Sequence, residues 1–127
     1  MSDPAEDAIE RRRSILVVED ELFIGLELKA CLEDAGFLVL GPAGSVRDAL
    51  RLISTQRPDA ALLDVNLGRE NVIPVAERLN LLDVPYVIAS AADAAELARY
   101  GALAGARNIG KPSDLKVLVN SILALTA

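Results

Sequence analysis

Short apolar runs alternate with segments of helical period along the whole chain, and this alternation limits the fold more than any other feature. The runs are SILVV (14–18), FLVL (37–40), AALLD (60–64), YVIAS (86–90) and ARNI (106–109), the last being the weakest. Between them the apolar positions recur every three or four residues, as on one face of a helix. Val46, Ala49, Leu50 and Ile53 share a face, as do Val72, Val75, Ala76 and Leu79, and then Leu115, Leu118, Val119 and Ile122. Residues 21–35 carry Leu22, Leu26, Leu28, Leu32 and Ala35 as a broader apolar surface that still fits a helix packed on a sheet. The alanine-rich residues 93–104 read as a fourth, weakly docked helix.

Punctuation agrees with these assignments. Gly36 can close the first helix, and GPAGS (41–45) reads as a loop whose Ser45 caps the second. Pro58 follows the second helix, and Pro74 is tolerable only near the start of the third. Pro85 introduces a strand, and Pro112 sits where a fifth helix begins. Strict β–α alternation with short links implies a parallel sheet with right-handed crossovers and helices on both faces. The composition, 52% hydrophobic and only 3% aromatic, suits strands made of Val, Ile and Leu and buried on both faces. At 127 residues the chain is one α/β domain, a doubly wound sandwich; an eightfold barrel needs about twice the length.

Composition also excludes functions. The net charge of −6 argues against nucleic acid as the main partner, and Arg11-Arg12-Arg13 is a solvated tail within an N-terminal extension of residues 1–13. Histidine is absent, which removes serine–histidine, cysteine–histidine and zinc–histidine chemistry within the chain. The single cysteine, Cys31, forms no internal disulfide and reads as a core residue of the first helix. No apolar h-region opens the chain, and no apolar run approaches the roughly 20 residues of a membrane span. A cytoplasmic protein with no membrane contact is expected.

In doubly wound sheets, ligands bind outside the carboxyl ends of the strands. The first run ends in Glu19-Asp20-Glu21 and the third in Asp64; the fourth ends in Ser90, and the fifth is followed by Gly110-Lys111-Pro112. Carboxylates converging from two strands repel one another, and one takes up a proton unless a cation offsets them. A hard divalent cation suits such an oxygen set, and Mg²⁺ prefers one or two carboxylates with water and a phosphate oxygen. A carboxylate can act as a nucleophile in aspartyl-phosphate chemistry, with a metal, a lysine and a hydroxyl stabilising the transferring charge. Glu21 reads as an acid at a helix N-terminus. GPAGS lacks the lysine and the spacing of a phosphate-binding loop.

The set ILVVEDE, ALLDVNL, VIAS and GKP, at these spacings, resembles the receiver domain of bacterial two-component response regulators, over about residues 14 to 125. More narrowly, GPAGSVRDAL, PDAALLDVNLG and VPYVIAS are similar to stand-alone receivers of alphaproteobacteria. The resemblance implies a flavodoxin-like three-layer sandwich over residues 14–127, with five helices and strand order 2-1-3-4-5. It implies that Asp64 is the phosphoacceptor and that Mg²⁺ is held by Glu19, Asp20, Asp64 and the backbone carbonyl of Asn66. Ser90 and Lys111 would contact the phosphoryl group. Most receivers carry an aromatic residue three positions before the lysine, where this chain has Asn108; the subgroup with a FATGY-like fourth strand tends to lack it but has an aromatic after that strand, where this chain has Ala91-Ala92.

The expected function is therefore that of a phosphoacceptor with weak self-catalysed hydrolysis, not an enzyme. Its expected partners are a histidine kinase or phosphotransfer protein and a downstream protein target, with the receiver a monomer or weak dimer. Tyr100, Arg99 and Leu103 are a candidate partner surface on the fourth helix. If the chain is complete, output is expected by protein contact or by draining phosphoryl groups from a relay. The alternatives are a phosphate sink in a relay, or a degenerate receiver that binds partners independently of phosphorylation. A phosphatase of this fold class needs an acid two residues after the nucleophile, where Asn66 stands. A flavin site would want a first loop rich in Ser, Thr and Gly, and this one is acidic.

Overall fold

The computed structural model describes residues 12–127 apart from 93, 104, 112 and 113. The extension before the first strand thus lies outside the described residues except for Arg12 and Arg13, as does Pro112. Five strands form one parallel sheet: β1 (Ser14–Val18), β2 (Leu38–Ala43), β3 (Ala60–Asp64), β4 (Tyr86–Ala89) and β5 (Arg107–Asn108). Their order across the sheet is β2-β1-β3-β4-β5, as expected. The helices are α1 (Leu22–Asp34), α2 (Val46–Thr55), α3 (Ile73–Leu81), α4 (Ala94–Leu97) and α5 (Leu115–Leu125). A two-residue ribbon pairs Asn66–Leu67 with Glu70–Asn71 in the loop after β3.

The central strands β1 and β3 are buried along their whole length, which is why they read as unbroken apolar runs. Alternate residues serve opposite cores. Leu16, Val18, Ala61 and Leu63 pack with Ala49 and Ile53 of α2 and with Val75, Ala76 and Leu79 of α3. Ile15, Val17, Ala60 and Leu62 pack with Leu28 and Leu32 of α1 and with Leu118 and Ile122 of α5.

The edge strand β2 is longer than its apolar run. Its register with β1 jumps from Leu16↔Leu40 to Val18↔Ala43, so Gly41 and Pro42 form a bulge instead of the expected loop. Gly41 has φ +100°, and a Cβ there would stand 2.6 Å from the Ala43 nitrogen and 2.8 Å from the Val17 oxygen. A bulged edge strand is one of the few places in a sheet that tolerates Pro42. Ser45 then caps α2 as expected, its Oγ accepting the Asp48 N–H at 3.1 Å. Gly36, at φ +96°, closes α1. Its N–H donates to Glu33 O, and the Phe37 N–H donates to Leu32 O, the paired bonds of a Schellman cap.

Four further expectations need correction. The apolar face of α1 is narrower than the pattern suggested: Leu22 and Leu26 are exposed, as is Phe23 at 85%, and the helix seats itself through Gly25, Leu28 and Leu32. Of the expected helix 93–104, residues 93 and 104 lie outside the described residues, and the rest do not make one helix; α4 is a single turn, followed by a 3₁₀ turn at Gly101–Leu103. Leu103 is only 1% exposed and belongs to the core, so it cannot join Arg99 and Tyr100 on a partner surface. Cys31 is half-buried in a groove between α1 and α5 instead of lying in the core. Helix α5 begins at Leu115, capped by the Asp114 carboxylate, which accepts the Lys116 and Val117 N–H groups. Among the described residues no helix is long and apolar enough to cross a membrane.

Candidate functional site

The parallel register sets the ends of β1 and β3 side by side, with Val18 opposite Leu63, so Glu19 and Asp64 emerge together. Glu19 is fixed at this edge because its N–H donates to the Ala43 carbonyl at the end of β2, 2.9 Å away. Asp20 follows at the surface. One carboxylate oxygen from each of Glu19, Asp20 and Asp64 lies within 4.8 Å of the others. Glu19 is 4% exposed and Asp64 is 5% exposed, whereas Asp20 is open to solvent.

Lys111, from the turn after β5, reaches into this group. Its Nζ lies 2.9 Å from Asp64 Oδ2 and 3.4 Å from each oxygen of Glu19. Asp64 Oδ1 accepts the Asn66 N–H at 3.3 Å, and Glu19 Oε1 accepts the Glu21 N–H at 3.2 Å. Burial pushes the Glu19 carboxyl above its ordinary pKa, and the Asp64 charge adds to the rise; the Glu21 N–H and Lys111 oppose it. Burial pulls the other way on Lys111, but hydrogen bonding and charge from Asp64 and Glu19 outweigh it, and its pKa is raised. Three carboxylates against one ammonium leave a net negative charge in a partly desolvated place. This all-oxygen donor set fits a hard divalent cation.

Ser90 is the residue after Ala89, which pairs with Asp64, so the adjoining strand delivers it to the same edge. It is buried, and its Oγ accepts the Ala92 N–H at 3.0 Å. The structure thus brings Glu19, Asp20, Asp64 and Lys111 together, with Asn66 tied to Asp64 and Ser90 on the neighbouring strand end. Glu21 occupies the N-cap of α1 without capping it by side chain; its N–H, not its carboxylate, serves the cluster.

Sequence reasoning missed what Asn108 does. Its Oδ1 accepts the N–H groups of Ser90 (3.0 Å) and Gly110 (2.9 Å), while its Nδ2 donates to the carbonyls of Ser90 (3.1 Å) and Ala92 (3.3 Å). The only available signal was a polar residue in the weakest strand. A cavity of about 310 Å³ opens beside the cluster between α1 and α5, with Glu19 and Lys111 meeting Ile24, Leu28 and Leu115.

Residues 15–123 match the family model for the response regulator receiver domain. The chain is 29% identical over 120 residues to the transcriptional regulatory protein PdtaR of Mycobacterium tuberculosis, covering 93% of this chain and 58% of that protein. It is 35% identical over 115 residues to the response regulator MprA of Mycolicibacterium vanbaalenii, covering 87% of this chain and 49% of that one. The chain therefore spans about half the length of these curated relatives. A response regulator receiver protein of Sinorhizobium medicae superposes with a TM-score of 0.81 at 25% identity, covering 92% of this chain and 96% of that one. Fold, edge geometry and sequence agree, and the chain belongs to the response regulator receiver domain family.

Proposed function

We propose that the chain is a phosphoacceptor that takes a phosphoryl group onto Asp64 from the phosphohistidine of a partner protein and passes the signal on by protein contact. The observation that carries this reading is the contact of Lys111 with both Asp64 and Glu19 at the carboxyl edge of the sheet. In the transfer, a carboxylate oxygen of Asp64 forms a bond to phosphorus as the phosphorus–nitrogen bond of the donor breaks, and the imidazole keeps the electron pair. Lys111 is already at hydrogen-bond distance from Asp64 Oδ2 and can follow the charge onto a phosphoryl oxygen. The Asn66 N–H orients the carboxylate through Oδ1. The Ser90 hydroxyl donates to a second phosphoryl oxygen.

Glu19, Asp20 and Asp64, with the backbone carbonyl of Asn66, are the residues that would hold Mg²⁺. When bound, the ion neutralises charge on the carboxylates and on the incoming phosphoryl oxygens. Hydrolysis of the acyl phosphate returns the site to its starting state, and Asn66, two residues past Asp64, would help orient the attacking water. The donor is a histidine kinase or a phosphotransfer protein in the cytoplasm, since the chain has no histidine of its own. The receiver acts as a monomer or weak dimer, without nucleic acid or membrane as a direct partner. The test is incubation with acetyl phosphate and Mg²⁺. The native chain is expected to incorporate one phosphoryl group and Asp64→Asn none; equal or absent incorporation in both overturns the reading.

A further inference from the structure

We propose that Asn108 is a positioning residue for phosphoryl transfer: its side-chain amide ties the main chain of Ser90 to the turn that carries Lys111, so that hydroxyl and ammonium are presented as one unit. The inference rests on the phosphoacceptor reading above.

The backbone ladder between β4 and β5 ends at the bond from the Ile109 N–H to the Ile88 carbonyl, 2.8 Å. Beyond it the two chains part, and Gly110 turns away at φ +83°. Ser90 and Lys111 both lie past this point, where the sheet no longer fixes their separation. The Asn108 amide continues the pairing in place of a peptide group. It accepts the N–H and donates to the C=O of Ser90, as the backbone of a neighbouring strand would. Its remaining capacity goes to the Gly110 N–H on one side and the Ala92 carbonyl on the other.

An asparagine amide has two donors and two acceptor lone pairs, and here all four are used. Aspartate would keep the acceptors but turn a charged oxygen toward two carbonyls, and an aliphatic residue would leave two N–H groups and two carbonyls without this partner. The Ser90 hydroxyl accepts from Ala92, which uses a lone pair and keeps its O–H as a donor. None of the four amide bonds goes to Glu19, Asp20 or Asp64. Asn108 therefore acts on the groups that face the phosphoryl oxygens and leaves the acidic cluster alone.

The experiment measures phosphoryl incorporation from acetyl phosphate in the native chain, Asn108→Ala, Asn108→Asp, Ser90→Ala and the Asn108→Asp/Ser90→Ala pair, with Mg²⁺ affinity read separately by calorimetry. A misplacement of reacting groups by about 1 Å can cost on the order of a hundredfold. The Asn108 variants are expected to react about ten- to a hundredfold more slowly with Mg²⁺ affinity unchanged. Ser90→Ala should cost several-fold less in the Asn108→Asp background than in the native one, the signature of residues acting together. Native-like rates in the Asn108 variants, equal Ser90→Ala costs in both backgrounds, or a parallel loss of Mg²⁺ affinity would each overturn the inference while leaving the phosphoacceptor reading intact. If Asn108→Ala is unfolded at the assay temperature, the equal-sized Asn108→Asp decides. No incorporation in the native chain overturns the reading and this inference with it.

Discussion

The Lys111 ammonium stands between two carboxylates that would otherwise face each other, 2.9 Å from Asp64 and 3.4 Å from Glu19. Two outcomes are expected of Lys111→Met. Incorporation from acetyl phosphate should fall on the order of a hundredfold, the usual cost of removing one donor to a developing oxyanion. The stability gap between native and variant in urea should also be wider at pH 7 than near pH 4, because Glu19, its pKa raised above 4.5, is protonated near pH 4 and then has less need of the cation. A gap independent of pH would mean that the pair contributes nothing to the folded state.

Burial opposes the ionisation of Glu19, with the Asp64 charge acting in the same direction. A carboxyl whose pKa rises on folding is protonated more readily in the folded chain than in the unfolded one. The stability it contributes is complete below its ordinary value of 4.5 and is lost as pH climbs through the raised folded value. In metal-free buffer, Glu19→Gln is therefore expected to raise the urea midpoint at pH 7 and to leave it nearly unchanged at pH 4. Mg²⁺ should stabilise the native chain more than the variant. A lower midpoint for the variant at pH 7 would show that the Lys111 contact outweighs desolvation.

Gly25 is the contact point of α1 with the bulge of β2. A Cβ at this position would stand 2.9 Å from both Cβ and Cγ of Pro42, a rigid ring. Alanine favours a helix over glycine by about 1 kcal/mol, yet overpacking a tight contact typically costs about 1–3 kcal/mol. Gly25→Ala is expected to lower the urea midpoint, the steric term winning. A rise would mean that α1 can slide off Pro42.

The strands that carry the site were legible because the physics that buries them also writes them. β1 and β3 lie between two helical layers, so SILVV and AALLD show no polar alternation and end where charge begins. β2 was cut short because Gly41-Pro42 has the composition of a turn, and only the pairing partner, Val17, shows that it is a bulge. Leu22 and Leu26 misled because hydropathy alone does not say which side of a helix meets the sheet. At the site, acids and a lysine declare themselves by type and by position at strand ends. Asn108 could not: its four partners are backbone atoms, and backbone atoms leave no trace in residue identity.

Ser121 offers a test of the packing between α5 and the sheet. It is buried in α5, and its Oγ has no hydrogen-bond partner, the single such side-chain atom among the described residues. Burying a hydroxyl without a partner costs about 1–3 kcal/mol by mutational measurement, and alanine is also the better helix former. The void left by one oxygen offsets part of that gain. Ser121→Ala is thus expected to be more stable than the native chain by about 1 kcal/mol, which for a domain of this size raises Tm by roughly 3–5 °C. Because Ser121 belongs to none of the groups placed at the acidic cluster, phosphoryl incorporation should stay at the native rate. An unchanged or lower Tm would show that the hydroxyl is satisfied in solution and that this stretch of α5 is packed as tightly as the sheet it covers.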